Sequence, residues 1–231
     1  MRIDDLFPFT DLEVAVDGGF VVRRAHPTLP LCILNYTERA TYTPDSWNAV
    51  TRNCRGLIYD TNTHEIVARP FPKFFNMGER YAPQCDPTSR VVVTDKLDGS
   101  LGVLYRTPDG LAVSTRGSFD SEQTKHATEL VRTRYAEFVP PHGHTLLFEI
   151  VYPDNRIVVD YGDMDDLILL GAIHIETGCS YFPHDDLLVA WPGPRTTVFD
   201  HETLAHALAA PPRPNAEGLV TYKLPASNSP A

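Results

Sequence analysis

Proline and glycine punctuate this chain too often for long helices to dominate it. Twenty prolines and fourteen glycines are spread through 231 residues, and a proline inside a helix removes a hydrogen bond and clashes with the preceding turn. Between the breaks lie short runs rich in Val, Ile, Leu, Phe and Tyr, so the sequence predicts many strands and turns around a few helices. With 42% apolar residues, a chain of this length can bury a sizeable core. Its formal charge of −10 argues against a protein that coats nucleic acid indiscriminately, because such binding rests on neutralising phosphates. Any nucleic-acid contact is expected to be a local patch.

The opening stretch "MRIDDLFPFTDLEV" lacks the basic start and unbroken apolar run of a secretion signal, and no segment approaches the ~20 apolar residues of a membrane span. A soluble, intracellular, cytoplasmic protein with no membrane partner is expected, acting as a monomer. Cys32, Cys54, Cys85 and Cys179 are far apart, with neither zinc-ligand spacing nor a disulfide framework, and are read as reduced thiols.

Residues 14–36 read as short strands broken by Asp17-Gly18-Gly19 and by His26-Pro27. One short helix is expected within 43–53, with Thr43 or Asp45 near its cap, and "CRGLIYD" and "HEIVARP" give two further strands. After a polar spacer at 82–89, strands are predicted at 91–95, 101–106 and 111–115. The first two are joined by Asp98-Gly99, a strong hairpin signal between apolar runs. A helix is expected from a capping box at Asp120 and Gln123, with Ala127, Leu130, Val131, Tyr135 and Phe138 at helical spacing, ending at Pro140-Pro141. "TLLFEIVY" and "DLILLGAIHIE" read as buried strands, separated by a turn, a brief strand and an acidic loop. A second helix over 200–209 and a final strand "EGLVTYKL" follow, and 225–231 reads as a disordered tail. The expected fold class is α+β, with two antiparallel sheets and flanking helices in one domain over 1–224: an N-terminal sheet portion at 1–85 and a core at 86–224.

Four places put charge at the edge of an apolar strand: Lys96 and Asp98 in "DKLDGSL", Arg55 in "NCRGLIYD", Glu149 in "LLFEIVY" and Glu217 in "AEGLV". Charge beside buried strands costs desolvation unless it is paired or faces a cleft, so a shared cleft is expected. A lysine is nucleophilic only as the free amine, which burial or nearby cations such as Arg55 and Lys73 favour. The same cations attract polyphosphate, and carboxylates can carry magnesium to offset its charge. The glycine-rich phosphate loops, kinase motifs and serine-nucleophile elbow are all missing. Covalent lysine chemistry is the enzymatic reading with several supporting residues.

"DKLDGSL" resembles the Lys-x-Asp-Gly motif of the covalent nucleotidyltransferases, which include DNA ligases, RNA ligases and mRNA capping enzymes. Its companions occur in the order seen in RNA ligases resembling the tRNA-repair ligase of T-even bacteriophages. "CRGLIYD" and "IVARPFPKFFNMGE" precede it; "STRGS", "FEIVYPDNRIVVDY" and "EGLV" follow. The resemblance covers about residues 50–222 and implies a nucleotidyltransferase (ATP-grasp-like) fold. It implies Lys96 as the covalent AMP acceptor and Arg55, Lys73, Phe75, Asp98, Gly99, Arg116 and Glu149 as nucleotide-binding residues, Glu149 at the ribose. Glu217 would help hold Mg2+ or Mn2+. The implied activity is ATP-dependent RNA ligation in RNA repair, with RNA ends, single-stranded or tRNA-like, as partners: lysine attack on ATP, transfer of AMP to a 5′-phosphate, then sealing by a 3′-hydroxyl.

Besides Arg116, which stands where the phage enzyme type has a lysine, one departure from that pattern matters. The family carries a Lys-x-Lys pair about a dozen residues beyond the fourth-motif glutamate, whereas here "TYKLPASNSPA" follows and Lys223 is the candidate within it. Either the gene product is longer or the chain is a reduced member with a slow or lost first step. A self-adenylylating enzyme that does not seal RNA, and a pseudoligase that binds nucleotide or RNA ends, are the alternatives left open.

Overall fold

A computed structural model describes residues 1–224; the expected tail at 225–231 lies outside the described residues. The chain is α+β, and its strands pair antiparallel in three sheets among the described residues. The first holds β1 (Val21–Ala25), β2 (Leu31–Tyr36), β3 (Arg55–Asp60) and β4 (Ile66–Ala68), in that order. Before β1 comes helix α1 (Phe9–Asp17), and α2 (Glu38–Tyr42) and α3 (Ala49–Asn53) lie between β2 and β3.

The next strands divide between two sheets. β5 (Val91–Lys96) joins β11 (Val198–Phe199) and β12 (Gly218–Lys223) in the order β11-β5-β12. The remaining strands are β6 (Ser100–Thr107), β7 (Gly110–Thr115), β8 (His144–Val151), β9 (Asp166–His174) and β10 (Ser180–Tyr181). They form the order β10-β9-β8-β6-β7. Helix α4 (Glu122–Thr133) follows β7 and α5 (Leu204–Leu208) follows β11.

Period-two alternation builds the layers. On β2 and β3, Cys32, Leu34, Leu57 and Tyr59 pack toward Leu12, Ala15 and Val50 of α1 and α3. Their neighbours Ile33 and Ile58 point the other way, onto Val103, Tyr105 and Leu147 of the five-stranded sheet. On β8 the alternation continues: Leu146, Phe148 and Ile150 meet Ala127, Leu130 and Val131 of α4 together with Trp191. Two sheets thus stack face to face between an outer layer of α1 and α3 and an outer layer of α4. Glu149 occupies the β8 face that Leu147 uses, between the sheets.

Several expectations are corrected. The Asp98-Gly99 step does not close a hairpin: β5 and β6 belong to different sheets and do not pair. Neither Asp98 nor Gly99 has the positive φ that a two-residue hairpin turn demands, and their backbone N–H groups donate to Tyr161 and Glu149 instead of to a partner strand. The two expected sheets become three for the same reason. Residues 14–17, read as strand, close α1, whose Leu12 and Ala15 are buried at helical spacing. The long central helix starts one residue later than expected, because Ser121 rather than Asp120 caps it by accepting from the Thr124 N–H at 3.2 Å. It ends at Thr133, while Tyr135 and Phe138 still reach the core from the irregular segment beyond. Between β8 and β9 a 3-10 turn at Pro153–Asn155 and a loop replace the expected brief strand.

The four cysteines are free thiols, Cys32 and Cys54 buried. Among the described residues no helix is long and apolar enough to cross a membrane. The acidic stretch 160–166 is tied locally, Asp160 to Arg156 at 3.0 Å and Asp165 to His126 at 2.6 Å.

Trp191, 1% exposed, closes the α4 side of the core. Its ring lies 4.3 Å from Tyr135, 4.7 Å from Phe148 and 5.0 Å from Phe138, and its indole N–H donates to the Pro194 carbonyl at 3.1 Å. Truncation there leaves a cavity and removes one of the two hydrogen bonds that the Pro194 carbonyl accepts, the other coming from the Leu169 N–H. Trp191→Ala is therefore expected to cost about 3–5 kcal/mol, read as a large fall in Tm on thermal unfolding; a change below ~1 kcal/mol would contradict this packing.

Candidate active site

The three sheets meet around a cavity of about 570 Å³, within the size range of small-ligand pockets. Each sheet supplies part of its wall. Asn35 and Arg55 come from the first, Ser100, Thr115 and Glu149 from the five-stranded sheet, and Thr94, Lys96, Val220 and Tyr222 from the third. On β5, Val91 and Val93 pack toward Leu204 and Ala207 of α5, so alternation turns Thr94 and Lys96 to the cavity.

Lys96 ends β5 opposite Gly218 of β12, and this register brings the preceding residue, Glu217, into an ion pair with the Lys96 amine. Both side chains are about one third exposed. The amine therefore stands at the cavity surface, held by a carboxylate on the neighbouring strand. Asp95, one residue earlier, is occupied by Arg213 at 2.6 Å.

The crossing that follows Lys96 is pinned on both sides. Asp98 is buried, and its Oδ2 accepts from the backbone N–H groups of Val158 and Val159 at 2.6 and 2.8 Å. Its own N–H donates to the Tyr161 hydroxyl at 2.8 Å. The Gly99 N–H donates to Glu149 Oε1 at 2.8 Å. A Cβ at Gly99 would stand 2.6 Å from the Ile150 carbonyl oxygen and 3.1 Å from Glu149 Cγ. The glycine is thus required by the close approach of β8, rather than by a turn.

Arg55 begins β3 with Gly56 behind it, at φ +94°, where an added Cβ would be strained and would crowd Arg116 Cα at 3.2 Å. That close approach brings Arg55 of the first sheet and Arg116, just beyond the end of β7, together at the cavity. The Arg55 guanidinium lies 5.0 Å from the Phe74 ring centroid, and burial pushes its pKa below the usual value, with the Arg116 charge adding to the effect. Arg55 Nη1 and Asn35 Oδ1 are buried without partners, and both residues line the cavity. Buried polar atoms of this kind favour a ligand that supplies hydrogen bonds. Arg116 donates to the Tyr36 hydroxyl at 3.1 Å.

Burial also raises Glu149 to about 7, opposed by the Gly99 N–H and the Arg55 charge. Asp98 adds to the rise and Lys96 opposes it.

Of the residues singled out in sequence, the cavity gathers Arg55, Lys96, Asp98, Gly99, Arg116, Glu149 and Glu217. It does not gather Lys73 and Phe75. Lys73 donates to the Phe74 carbonyl at 2.5 Å, and Phe75 packs against Trp47 and Tyr81 at 5.4 and 5.6 Å. The cavity has Phe74 instead, because neighbours in an extended segment point opposite ways. Asn35, Phe74 and Tyr222 had no sequence signal beyond ordinary strand and loop composition. For a divalent ion, no group of three or more His, Cys, Asp or Glu is assembled among the described residues. Glu217 offers one hard oxygen donor, which suits an ion that takes its other ligands from phosphate and water.

A lysine at a strand end thus faces a cleft between antiparallel sheets, flanked by arginines and carboxylates, in a nucleotidyltransferase fold. An archaeal ATP-dependent RNA ligase shares it: its solved structure superimposes on 94% of this chain and 58% of its own, with a TM-score of 0.57 at 18% identity. Residues 53–207 match the family model described as RNA ligase, and the chain belongs to that family. It is 26% identical over 152 residues to a putative RNA ligase of Thermovibrio ammonificans, covering 63% of this chain and 39% of that protein. It is likewise 26% identical over 171 residues to an RNA ligase of Rhodothermus phage RM378, covering 56% and 39%. The chain therefore spans about two fifths of the length of these curated relatives.

The raised Glu149 makes stability depend on pH. An unfolded glutamate ionises near ~4.3, whereas folded Glu149 keeps its proton up to about 7. Between those values the folded state binds the extra proton, so stability falls as pH rises, by roughly 4 kcal/mol in all. Glu149→Gln keeps an acceptor for the Gly99 N–H and never ionises. Its unfolding free energy relative to wild type should climb from pH 4.5 to 7 and then level off in urea titrations; a difference independent of pH would contradict the assignment.

Proposed function

We propose that this chain is the nucleotidyl-transferring core of an ATP-dependent RNA ligase, with Lys96 as the covalent AMP acceptor. The observation that carries the reading is the convergence of the Lys96 amine with Arg55, Arg116, Glu149 and Glu217 on one cavity. Family membership supplies the reaction class.

In the first step the Lys96 nitrogen attacks the α-phosphorus of ATP. An N–P bond forms, the bond to pyrophosphate breaks, and the amine loses its proton. Attack requires the amine to leave its ion pair with Glu217, since only the free amine has a lone pair to donate. Arg55 and Arg116 offset charge on the phosphates, acting from fixed positions in a partly desolvated site. Asn35 Oδ1 and the Glu149 carboxyl are the polar groups for the nucleoside. Magnesium or manganese at Glu217, when bound, neutralises phosphate charge. An RNA 5′-phosphate then takes AMP from Lys96, and a 3′-hydroxyl displaces AMP to join the ends.

The roles divide by step, which gives a direct test. Lys96→Ala should join 5′-phosphorylated RNA with ATP more slowly than wild type by more than roughly a thousandfold. The same variant should still seal RNA supplied with a 5′-adenylyl group, because that substrate bypasses the lysine. Wild-type joining from ATP by Lys96→Ala, followed on denaturing gels, would overturn the assignment.

A further inference from the structure

Glu217 stands at the end of a loop that has little of its own to hold it. The segment between α5 and β12 carries Pro211, Pro212 and Pro214, which have no backbone N–H to donate. Among the described residues, none from Pro211 to Glu217 makes a backbone–backbone hydrogen bond.

Two side chains take over that task. Arg213 Nη2 donates to Asp95 Oδ1 at 2.6 Å and to the Gly218 carbonyl at 2.8 Å, and its guanidinium lies 4.6 Å from the Phe199 ring centroid. It thereby touches β5, β12 and β11, the first two at the residue before Lys96 and the residue after Glu217. Asn215 ties the loop on its other side. Its Oδ1 accepts from the Asp160 N–H at 2.8 Å, and its Nδ2 donates to the Asp160 carbonyl at 2.7 Å. Asp160 directly follows Val158 and Val159, whose N–H groups hold Asp98. The contacts close a ring: Asp98 to the 158–160 loop, that loop to Asn215, and Asn215 through Glu217 back to Lys96.

Asn215 suits its place in two respects. Its φ is +50°, a left-handed conformation that asparagine tolerates better than most residues. Its carboxamide has both a donor and an acceptor for the two backbone groups of Asp160, whereas a carboxylate only accepts. Asn215 is exposed and the Arg213 side chain about one third exposed, so neither belongs to the core. The need for bracing follows from the site. Glu217 is one hard oxygen donor where no group of three ligating side chains is assembled among the described residues. No cluster of protein ligands therefore fixes its aim, and its carboxylate stands where the backbone on either side puts it.

We infer that Arg213 and Asn215 are positioning residues that set the Glu217 carboxylate against the Lys96 amine, and with it the place where a divalent ion enters the reaction with ATP. The metal half of this rests on the ligase reading, and the Lys96 half does not.

Brief treatment with acetic anhydride tests the Lys96 half with no ATP or metal present, the acetylation of each lysine being followed by peptide mass spectrometry. A lysine held in an ion pair stays protonated and reacts slowly, so Glu217→Gln should speed acetylation of Lys96. Arg213→Met and Asn215→Gly should each speed it about threefold, the order expected for losing a part-exposed ion pair. Lys125 of α4, outside the cavity, is the internal reference and should react as in wild type. In self-labelling by ATP, either variant should need roughly tenfold more Mg2+ for its half-maximal rate, and excess Mg2+ should restore a rate close to wild type. Unchanged Lys96 acetylation in both variants would overturn the inference. An equal rise at Lys125 would also overturn it, since the two side chains would then be general supports of the fold. An unchanged Mg2+ requirement would overturn the metal half. A wild-type chain that never takes label from ATP counts against the ligase reading, while acetylation still decides the brace.

Discussion

Asp98 and Gly99 hold together two strands that do not pair. β5 ends at Lys96 in one sheet and β6 begins at Ser100 in another, so three residues must carry the chain across the cleft. Left to itself such a link would be mobile, and the lysine with it. The buried Asp98 carboxylate accepts two backbone N–H groups from the 158–159 loop, and the Gly99 N–H reaches Glu149 on β8. Buried hydrogen bonds of this kind are costly to leave unmade, about 1–3 kcal/mol each, which holds the crossing in place. The position of Lys96 follows from these bonds and from its register with Gly218 on β12.

The site charges stand in a balance that the fold alone does not satisfy. Glu149 is forced toward its neutral form by burial although Arg55 and Lys96 favour its ionised form. Arg55 is desolvated beside Arg116, with one guanidinium nitrogen unpartnered. Each is a cost in the folded chain that a nucleotide can relieve: phosphate offsets the arginines, and hydroxyls satisfy the carboxyl. Stability is thus given up where binding is to recover it.

Much of this was legible in the sequence where one rule dominates. Apolar runs at strand spacing marked β8 and β9, and a charge set inside or beside such a run marked Arg55, Lys96, Glu149 and Glu217. What failed was anything decided by tertiary contact. "DKLDGSL" has the local signature of a hairpin, but its glycine answers the approach of the Ile150 carbonyl and its aspartate a loop some sixty residues away. Residues 14–17 looked like strand because short apolar stretches are ambiguous between periods. "KFFN" offered two adjacent phenylalanines, and only packing reveals that Phe74 faces the cavity while Phe75 faces Trp47.

The central claim is that Lys96 is the residue that this architecture exists to present. Peptide mass spectrometry tests it most directly: incubate the wild-type chain with ATP and magnesium, digest it, and locate AMP. The account predicts a single adduct on the peptide that contains Lys96, through its side-chain nitrogen. An adduct confined to another residue, or none on a folded chain, would contradict it.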